Sequence, residues 1–300
     1  MNLSACDICP RMCGADREHG KLGFCGAGRD VRIALVSLHQ WEEPCLTGDR
    51  GAGTVFFSHC NMKCVFCQNW SVSHEGQGIS VSTERLAEIF LEQQERGAAT
   101  LDLVTPTHYV PQIIEALDMA AERGFLLPVV YNSGGYEMTS TMESLRGYVD
   151  VFLPDLKYFD DSLAVRYSNA PGYFHYASEA IKKMYEITGP FVMENGRMTH
   201  GVIVRHMVLP SHYRDSFKVL DFLHGEFGDG IFVSLMNQFT PYGRTAEFKE
   251  INRRLTTLEY NKVLDYAEKI GMTNCFVQYG KTAMEKFIPV FDGSNVEKKL

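Results

Sequence analysis

Residues 54–69 read TVFFSHCNMKCVFCQN, a β-prone run, Thr54–Ser58, that leads straight into Cys60-x3-Cys64-x2-Cys67. Three thiolates within eight residues can hold three irons of a cubane [4Fe-4S] cluster and leave the fourth iron without a protein ligand. An open metal position is what a catalytic site keeps and a structural site closes. The amino and carboxylate groups of a bidentate amino acid could fill it. The competing reading is a structural zinc site that borrows His59 or Cys45 as its fourth ligand. The strand before the motif and the alternating strands and helices after it favour the open cluster.

Downstream, short β runs alternate with amphipathic helices. Strands are expected at Thr54–Ser58, Thr100–Val104, Leu127–Tyr131, Asp150–Leu153, Gly201–Val208 and Ile231–Leu235. Between them, apolar residues recur at helical spacing, as in Leu86, Ile89, Phe90 and in Leu220, Leu223, Phe227. A last helix is opened by Thr256 and Glu259, spaced as a capping box. This alternation predicts parallel βα units, six in number and two short of a closed eight-unit barrel. The predicted class is α/β, a partial (β/α)6 TIM-like barrel spanning residues 51–300. Its chemistry is expected in the loops at the strand C-termini. Residues 1–50 are expected to form a cysteine-rich metal-binding extension, with one strand at Val31–Ser37.

Eight of the nine cysteines lie between Cys6 and Cys67. With MNLSACDICP at the start lacking a basic, apolar export pattern, such clustering points to metal or redox chemistry in a cytoplasmic protein. A net charge of −8 argues against a nucleic-acid surface, and no apolar run is long enough to span a membrane. The second cysteine group, Cys6-x2-Cys9-x3-Cys13-x11-Cys25, offers four soft ligands for a closed centre, either zinc or an auxiliary iron–sulfur cluster. The polar, glycine-rich segment around it has almost no core of its own.

With Phe66 just before the third cysteine, the central motif resembles the radical S-adenosylmethionine superfamily. More narrowly, the chain resembles its PflX branch, related to pyruvate formate-lyase activating enzyme. The stretches that carry this include CPRMCGADREHGKLGFCGAG, LHQWEEP, LVTPTHYVPQIIEAL, VVYNSGGYE, LPDLKY, VIVRHMVLP and SLMNQFTP. The resemblance implies reductive cleavage of S-adenosylmethionine to methionine and a 5′-deoxyadenosyl radical. That radical would take hydrogen from a protein glycyl residue, as in activation of a glycyl-radical enzyme, or from another peptide or small molecule. It also implies a low-potential electron donor of the flavodoxin or ferredoxin type as partner. An iron–sulfur or zinc protein serving electron transfer or sensing, without S-adenosylmethionine chemistry, is the alternative.

The resemblance further implies that Phe66 belongs to the cofactor cup and that the D-x-K pair Asp155 and Lys157 touches the methionyl part of the cofactor. The superfamily usually ends its second strand with Gly-Gly-Glu, whereas this chain has Thr105-Pro106-Thr107-His108 there. The hydroxyls of Thr105 and Thr107 are the available substitutes. Asn132 and Ser133 close the third strand. Arg205 on the fifth can fork to a carboxylate, and Gln238 after the sixth offers a donor–acceptor for adenine or ribose.

Other candidates have ordinary expectations. Cys45 and Cys275 read as small buried hydrophobes. Glu42 and Glu43, with His39 and Trp41, read as a solvated acidic face unless buried. His108, His206 and His212 read as hydrogen-bonding rather than catalytic histidines.

Overall fold

A computed structural model describes residues 1–278 and 289–297. Its first elements are β1 (Val31–His39), α1 (Pro44–Thr47), β2 (Ala52–Phe57), α2 (Trp70–Ser73), β3 (Ile79–Val81), α3 (Thr83–Glu95), β4 (Leu101–Val104) and α4 (Val110–Ala121). Then come β5 (Val129–Ser133), α5 (Thr139–Glu143), β6 (Val151–Pro154), α6 (Asp161–Ser168), α7 (Tyr173–Thr188) and β7 (Val192–Glu194). β8 (Arg197–Met207), α8 (Tyr213–Phe227), β9 (Phe232–Met236), α9 (Thr257–Lys269) and β10 (Cys275–Val277) complete the series.

The sheet order is β10-β9-β8-β6-β5-β4-β2-β1-β3, with every pair from β2 to β10 parallel and β1 antiparallel to both its neighbours. Each parallel step crosses over through a helix, which gives six βα units and the expected partial barrel. Among the described residues the sheet does not close, and β3 and β10 are its edges. β2 is buried at all six positions, as befits a strand covered on both faces. α3 starts where Ser82 accepts a hydrogen bond from the Arg85 amide, and it buries Leu86, Ile89 and Phe90. α9 starts with the capping box formed by Thr256 and Glu259.

Three strands go beyond the sequence reading, the first being β3, a three-residue edge strand paired antiparallel with β1. β7 pairs with β8 as a hairpin whose turn runs through Asn195 and Gly196, both at positive φ, so β8 starts at Arg197 rather than Gly201. β7 is exposed at all three residues and leaves no burial pattern to read. β10 adds a seventh parallel strand after the sixth unit.

Two features position the site. Cys45 and Leu46 on α1 pack against Val130, Val151 and Ile203, stopping the barrel at the strand N-terminal end. The first thirty residues cover the other end. There the Arg17 side chain, 1% exposed, donates to the Gly28 and His108 carbonyls, and the Thr141 hydroxyl donates to the Ile8 carbonyl at 2.6 Å. β1 lies within the first fifty residues yet is laddered to β2 from Ile33↔Phe57 to His39↔Ala52, so hydrogen bonds cross position 50. At the C-terminal side, the Gly293 amide donates to the Ala34 carbonyl and the Val36 amide to the Ser294 carbonyl. Among the described residues, no helix is long and apolar enough to cross a membrane.

Candidate active site

The loop leaving β2 turns sharply at His59 and Lys63, both at positive φ, and delivers three thiols to the strand C-terminal end. Cys64 is buried, and Cys60 and Cys67 are partly so. Each sulfur receives a hydrogen bond. The Met62 amide donates to Cys60 Sγ at 3.4 Å, the Ser168 hydroxyl to Cys64 Sγ at 2.9 Å, and the Ser73 hydroxyl to Cys67 Sγ at 3.2 Å. Burial pushes the Cys64 thiol up to about 12, against the pull of Lys157, and raises Cys67 as well. Three buried or half-buried thiols with donors already aimed at them suit a metal centre whose positive charge replaces their protons. Among the described residues, no three His, Cys, Asp or Glu side chains are gathered as ligands of one ion. Cubane ligands need no such convergence, because each binds a different iron.

Neither candidate for a fourth zinc ligand joins these thiols in the cavity. Cys45 sits in the α1 plug. His59 lies over Gly26 and Gly76, and burial, helped by Arg32, lowers it to about 4.

The thiols open on a cavity of about 420 Å³ that Asp155, Lys157 and Arg205 also line. Asp155 at the end of β6 pairs with Lys157 and, at 3.0 Å, with Nε of Arg205. Arg205 also donates through Nη2 to Asn132 Oδ1 at 2.6 Å, and its Nη1 lies 3.7 Å from Glu42 Oε2. Burial alone would raise the Asp155 carboxyl, but Arg205 and Lys157 outweigh it and hold the group below its usual range. Burial likewise opposes the charge on Lys157, and Asp155 restores it. The Tyr173 hydroxyl accepts from the Lys157 amide at 3.0 Å and faces the Gly134 and Asp155 carbonyls, each at 2.9 Å. Backbones approach closely here: Gly135 has φ +78°, and a Cβ on it would collide with the Asp155 carbonyl.

Thr105, Asn132, Ser133, Phe66 and Gln238 line the same cavity. Phe66 stands edge-on to Phe239 at 5.5 Å between ring centroids, and Gln238 Nε2 donates to Met236 Sδ. Thr107 lies outside this lining. Its position on a 3-10 turn sends its hydroxyl to Glu137 Oε1 at 2.6 Å. Glu137, which follows Gly134-Gly135-Tyr136, is fully buried. Burial raises its carboxyl to about 7, against the Thr107, Ser133 and Tyr131 hydroxyls. His108 bonds the Ser58 carbonyl, His206 the Leu156 carbonyl and Ser216, and His212 the Tyr167 hydroxyl.

Glu42 and Glu43 are not a solvated face. Both line the cavity, with the Glu42 side chain only 11% exposed. The WEEP stretch is polar enough to read as surface. What buries it is the α1 plug, a helix of four residues with no periodicity to detect.

In the N-terminal group Cys6, Cys9 and Cys25 are buried and Cys13 is exposed. Burial lifts Cys9 to about 12, with Glu137, Cys25 and Cys6 adding to the rise, and it raises Cys25 too. The Ala27 amide donates to Cys25 Sγ at 3.4 Å. Cys6 and Cys25 lie near enough to influence Cys9, but among the described residues no three of these sulfurs are gathered on one point, so closing the set on one centre requires the segment to draw in around it. Arg11, between Cys9 and Cys13, ties the segment to the catalytic loop. Its Nε donates to the Asn61 carbonyl at 2.9 Å, and its guanidinium stacks 3.7 Å from the Phe24 ring centroid.

Residues 54–220 match the family model of the Radical SAM superfamily. The chain is 30% identical, over 277 residues, to an uncharacterized protein of Methanocaldococcus jannaschii, covering 89% of this chain and 75% of that protein. Among solved structures it is similar in fold to Streptococcus suis SuiB bound to the precursor peptide SuiA, with TM-score 0.53 and 15% identity, covering 74% of this chain and 47% of SuiB. It is similar also to the FeFe-hydrogenase maturase HydG of Carboxydothermus hydrogenoformans, with TM-score 0.51 and 11% identity, covering 77% of this chain and 55% of HydG. The chain thus spans about half the length of these solved proteins.

Proposed function

The chain belongs to the radical SAM superfamily, and from that premise we propose that it takes hydrogen from a substrate presented to the cavity where Cys60, Cys64 and Cys67 meet Asp155 and Lys157. As a radical SAM enzyme it cleaves S-adenosylmethionine, and the cluster, when bound, supplies the electron for that cleavage. The three cysteines hold the cluster. Asp155 and Lys157 bind the methionyl end of the cofactor, and Arg205 holds Asp155 ionised and in place. Phe66, Thr105, Asn132, Ser133 and Gln238 form the remaining cup. Thr107 acts through Glu137 rather than by touching the cofactor.

The substrate in this reading is a protein glycyl residue, as for pyruvate formate-lyase activating enzyme, or another peptide or small molecule. An external low-potential donor of the flavodoxin or ferredoxin type delivers the electron. Cys6, Cys9, Cys13 and Cys25 hold a second centre, zinc or an auxiliary cluster, that is structural or electron-relaying. The observation that carries the proposal is the sharing of one cavity by the three thiols and the paired Asp155 and Lys157. The test is anaerobic reconstitution followed by reduction with S-adenosylmethionine present. Release of 5′-deoxyadenosine by the wild type and its loss on replacing Cys60, Cys64 or Cys67 with Ala is the expected result. Retained release in all three variants sinks the assignment. Adding a candidate glycyl-radical protein and looking for its organic radical then tests the substrate.

A further inference from the structure

Beyond Arg205, the cavity holds more acid than its cations can balance. A chain of charges leads away from the cluster loop. Lys157, which influences Cys64, pairs with Asp155, Asp155 with Arg205, and Arg205 faces Glu42. Glu43 joins at this end, with the Ser234 hydroxyl as its partner. Asp102 lies outside the cavity lining, behind this group and near enough to interact with Glu42 and Arg205. Its neighbours Leu101 and Leu103 pack in the main apolar core, while Val104, two residues on and on the same face as Asp102, lines the cavity. Asp102 is 1% exposed, and among the described residues neither carboxylate oxygen has a hydrogen-bond partner of normal geometry, although the Asn132 amide lies close enough to pull the carboxyl down.

Four carboxyls, Asp155, Glu42, Glu43 and Asp102, therefore face two cations, Arg205 and Lys157. His39, also beside Glu42, does not help, because burial pulls it down and leaves it neutral. Isolated buried carboxylates are too costly to persist, so the surplus acids take protons unless a cation arrives. Accordingly Glu43 is raised by burial, and Asp102 is raised well above its usual range by burial and by Glu42. Trp41, 68% exposed, stands where this end of the cavity meets solvent.

The geometry points to a substrate subsite at Glu42 and Glu43, with Asp102 buried behind them, that takes a positively charged group, an alkylammonium or guanidinium. This rests on the radical SAM reading above and adds the chemical class of what the cavity receives. A cation there would supply the charge that the surplus carboxyls lack and would hold the substrate beyond Arg205, clear of the cluster end.

The test uses full-length, cluster-loaded protein saturated with S-adenosylmethionine and left unreduced. Binding of n-butylguanidinium is compared with that of its neutral isostere n-butylurea, and n-butylammonium with n-butanol. A second arm compares blocked arginine amide with blocked citrulline amide, to separate a peptide side chain from a free small cation as the source. The expected result is preference for the charged probe by about tenfold or more, reduced about tenfold by Glu42→Gln or Asp102→Asn in protein whose melting midpoint shows it is folded. Equal binding of charged and neutral wild-type probes overturns the inference without need of a variant. So does discrimination that survives both carboxyl replacements, or displacement of S-adenosylmethionine by the probe, which would assign the acids to the cofactor. Release of 5′-deoxyadenosine on reducing the same preparation is measured alongside. Its absence sinks the enzymatic reading, whereas its presence without charge preference sinks only the subsite.

Discussion

Replacing Glu137 with Gln should change how stability depends on pH, by an amount the structure fixes. The Glu137 carboxyl moves from 4.5 in an open chain to about 7 when folded, chiefly through burial. A raised carboxyl means that the folded state holds its proton more tightly than the unfolded one. Its contribution is therefore fully present below about pH 4.5 and is lost as pH rises through 7. At about 1.4 kcal/mol per pH unit, the loss by pH 8 is about 3 kcal/mol. Gln keeps an oxygen for the Thr107 hydroxyl and does not titrate. Relative to wild type at pH 4, the variant should gain about 3 kcal/mol by pH 8, or about 1 M in urea midpoint for a chain of this size. Urea melts of metal-free protein at several pH values measure it, and the difference between the two profiles cancels every other titrating group. Parallel profiles would refute the account and return Glu137 to an ordinary ionised side chain.

Three further outcomes are expected. Asp155→Asn or Lys157→Met should weaken S-adenosylmethionine binding by about 10- to 100-fold, the worth of one charged hydrogen bond, while iron content stays constant; binding titrations with iron assays check both halves. In the Cys60/Cys64/Cys67→Ala triple variant, elemental analysis should still find one metal centre on Cys6, Cys9, Cys13 and Cys25. Iron there favours the auxiliary cluster, zinc the structural site, and neither, with the segment still ordered, removes the second centre. Gly135→Ala should cost several kcal/mol, because it adds a left-handed non-glycine residue to a collision with the Asp155 carbonyl; a melting midpoint within about 2 °C of wild type would contradict that geometry.

What can be read from the sequence divides by how local its cause is. The Cys60-x3-Cys64-x2-Cys67 spacing is legible because one loop must supply all three ligands. The six βα units are legible because each strand and helix carries its own burial pattern, from the fully buried β2 to the Leu86, Ile89, Phe90 stripe of α3. β7 is not legible, because an exposed three-residue strand owes its existence to its hairpin partner. Glu42 and Glu43 read as solvated because their burial depends on where α1 lodges in the barrel. Asp102 carries no signal inside LDLV, and Glu137 none behind Gly134-Gly135, since only the tertiary fold strips both of water. Thr107 is the reverse case. It sits in the right stretch of sequence, but the turn that carries it points the hydroxyl toward Glu137.

The β7–β8 hairpin has a practical bearing on where a tag or spectroscopic label belongs. Labels placed among the first thirty residues or beside residues 293–294 would burden working parts. The first thirty residues grip the catalytic loop through Arg11, and residues 293–294 are stitched to β1. The Asn195–Gly196 tip offers a third place to attach something. Val192 and Met193 behind it are 44% and 39% exposed, and neither they nor the turn line the cavity. A short epitope or a single reporter cysteine inserted at that tip should leave the melting midpoint and iron content as they were, as loop tips of this kind tolerate insertion well.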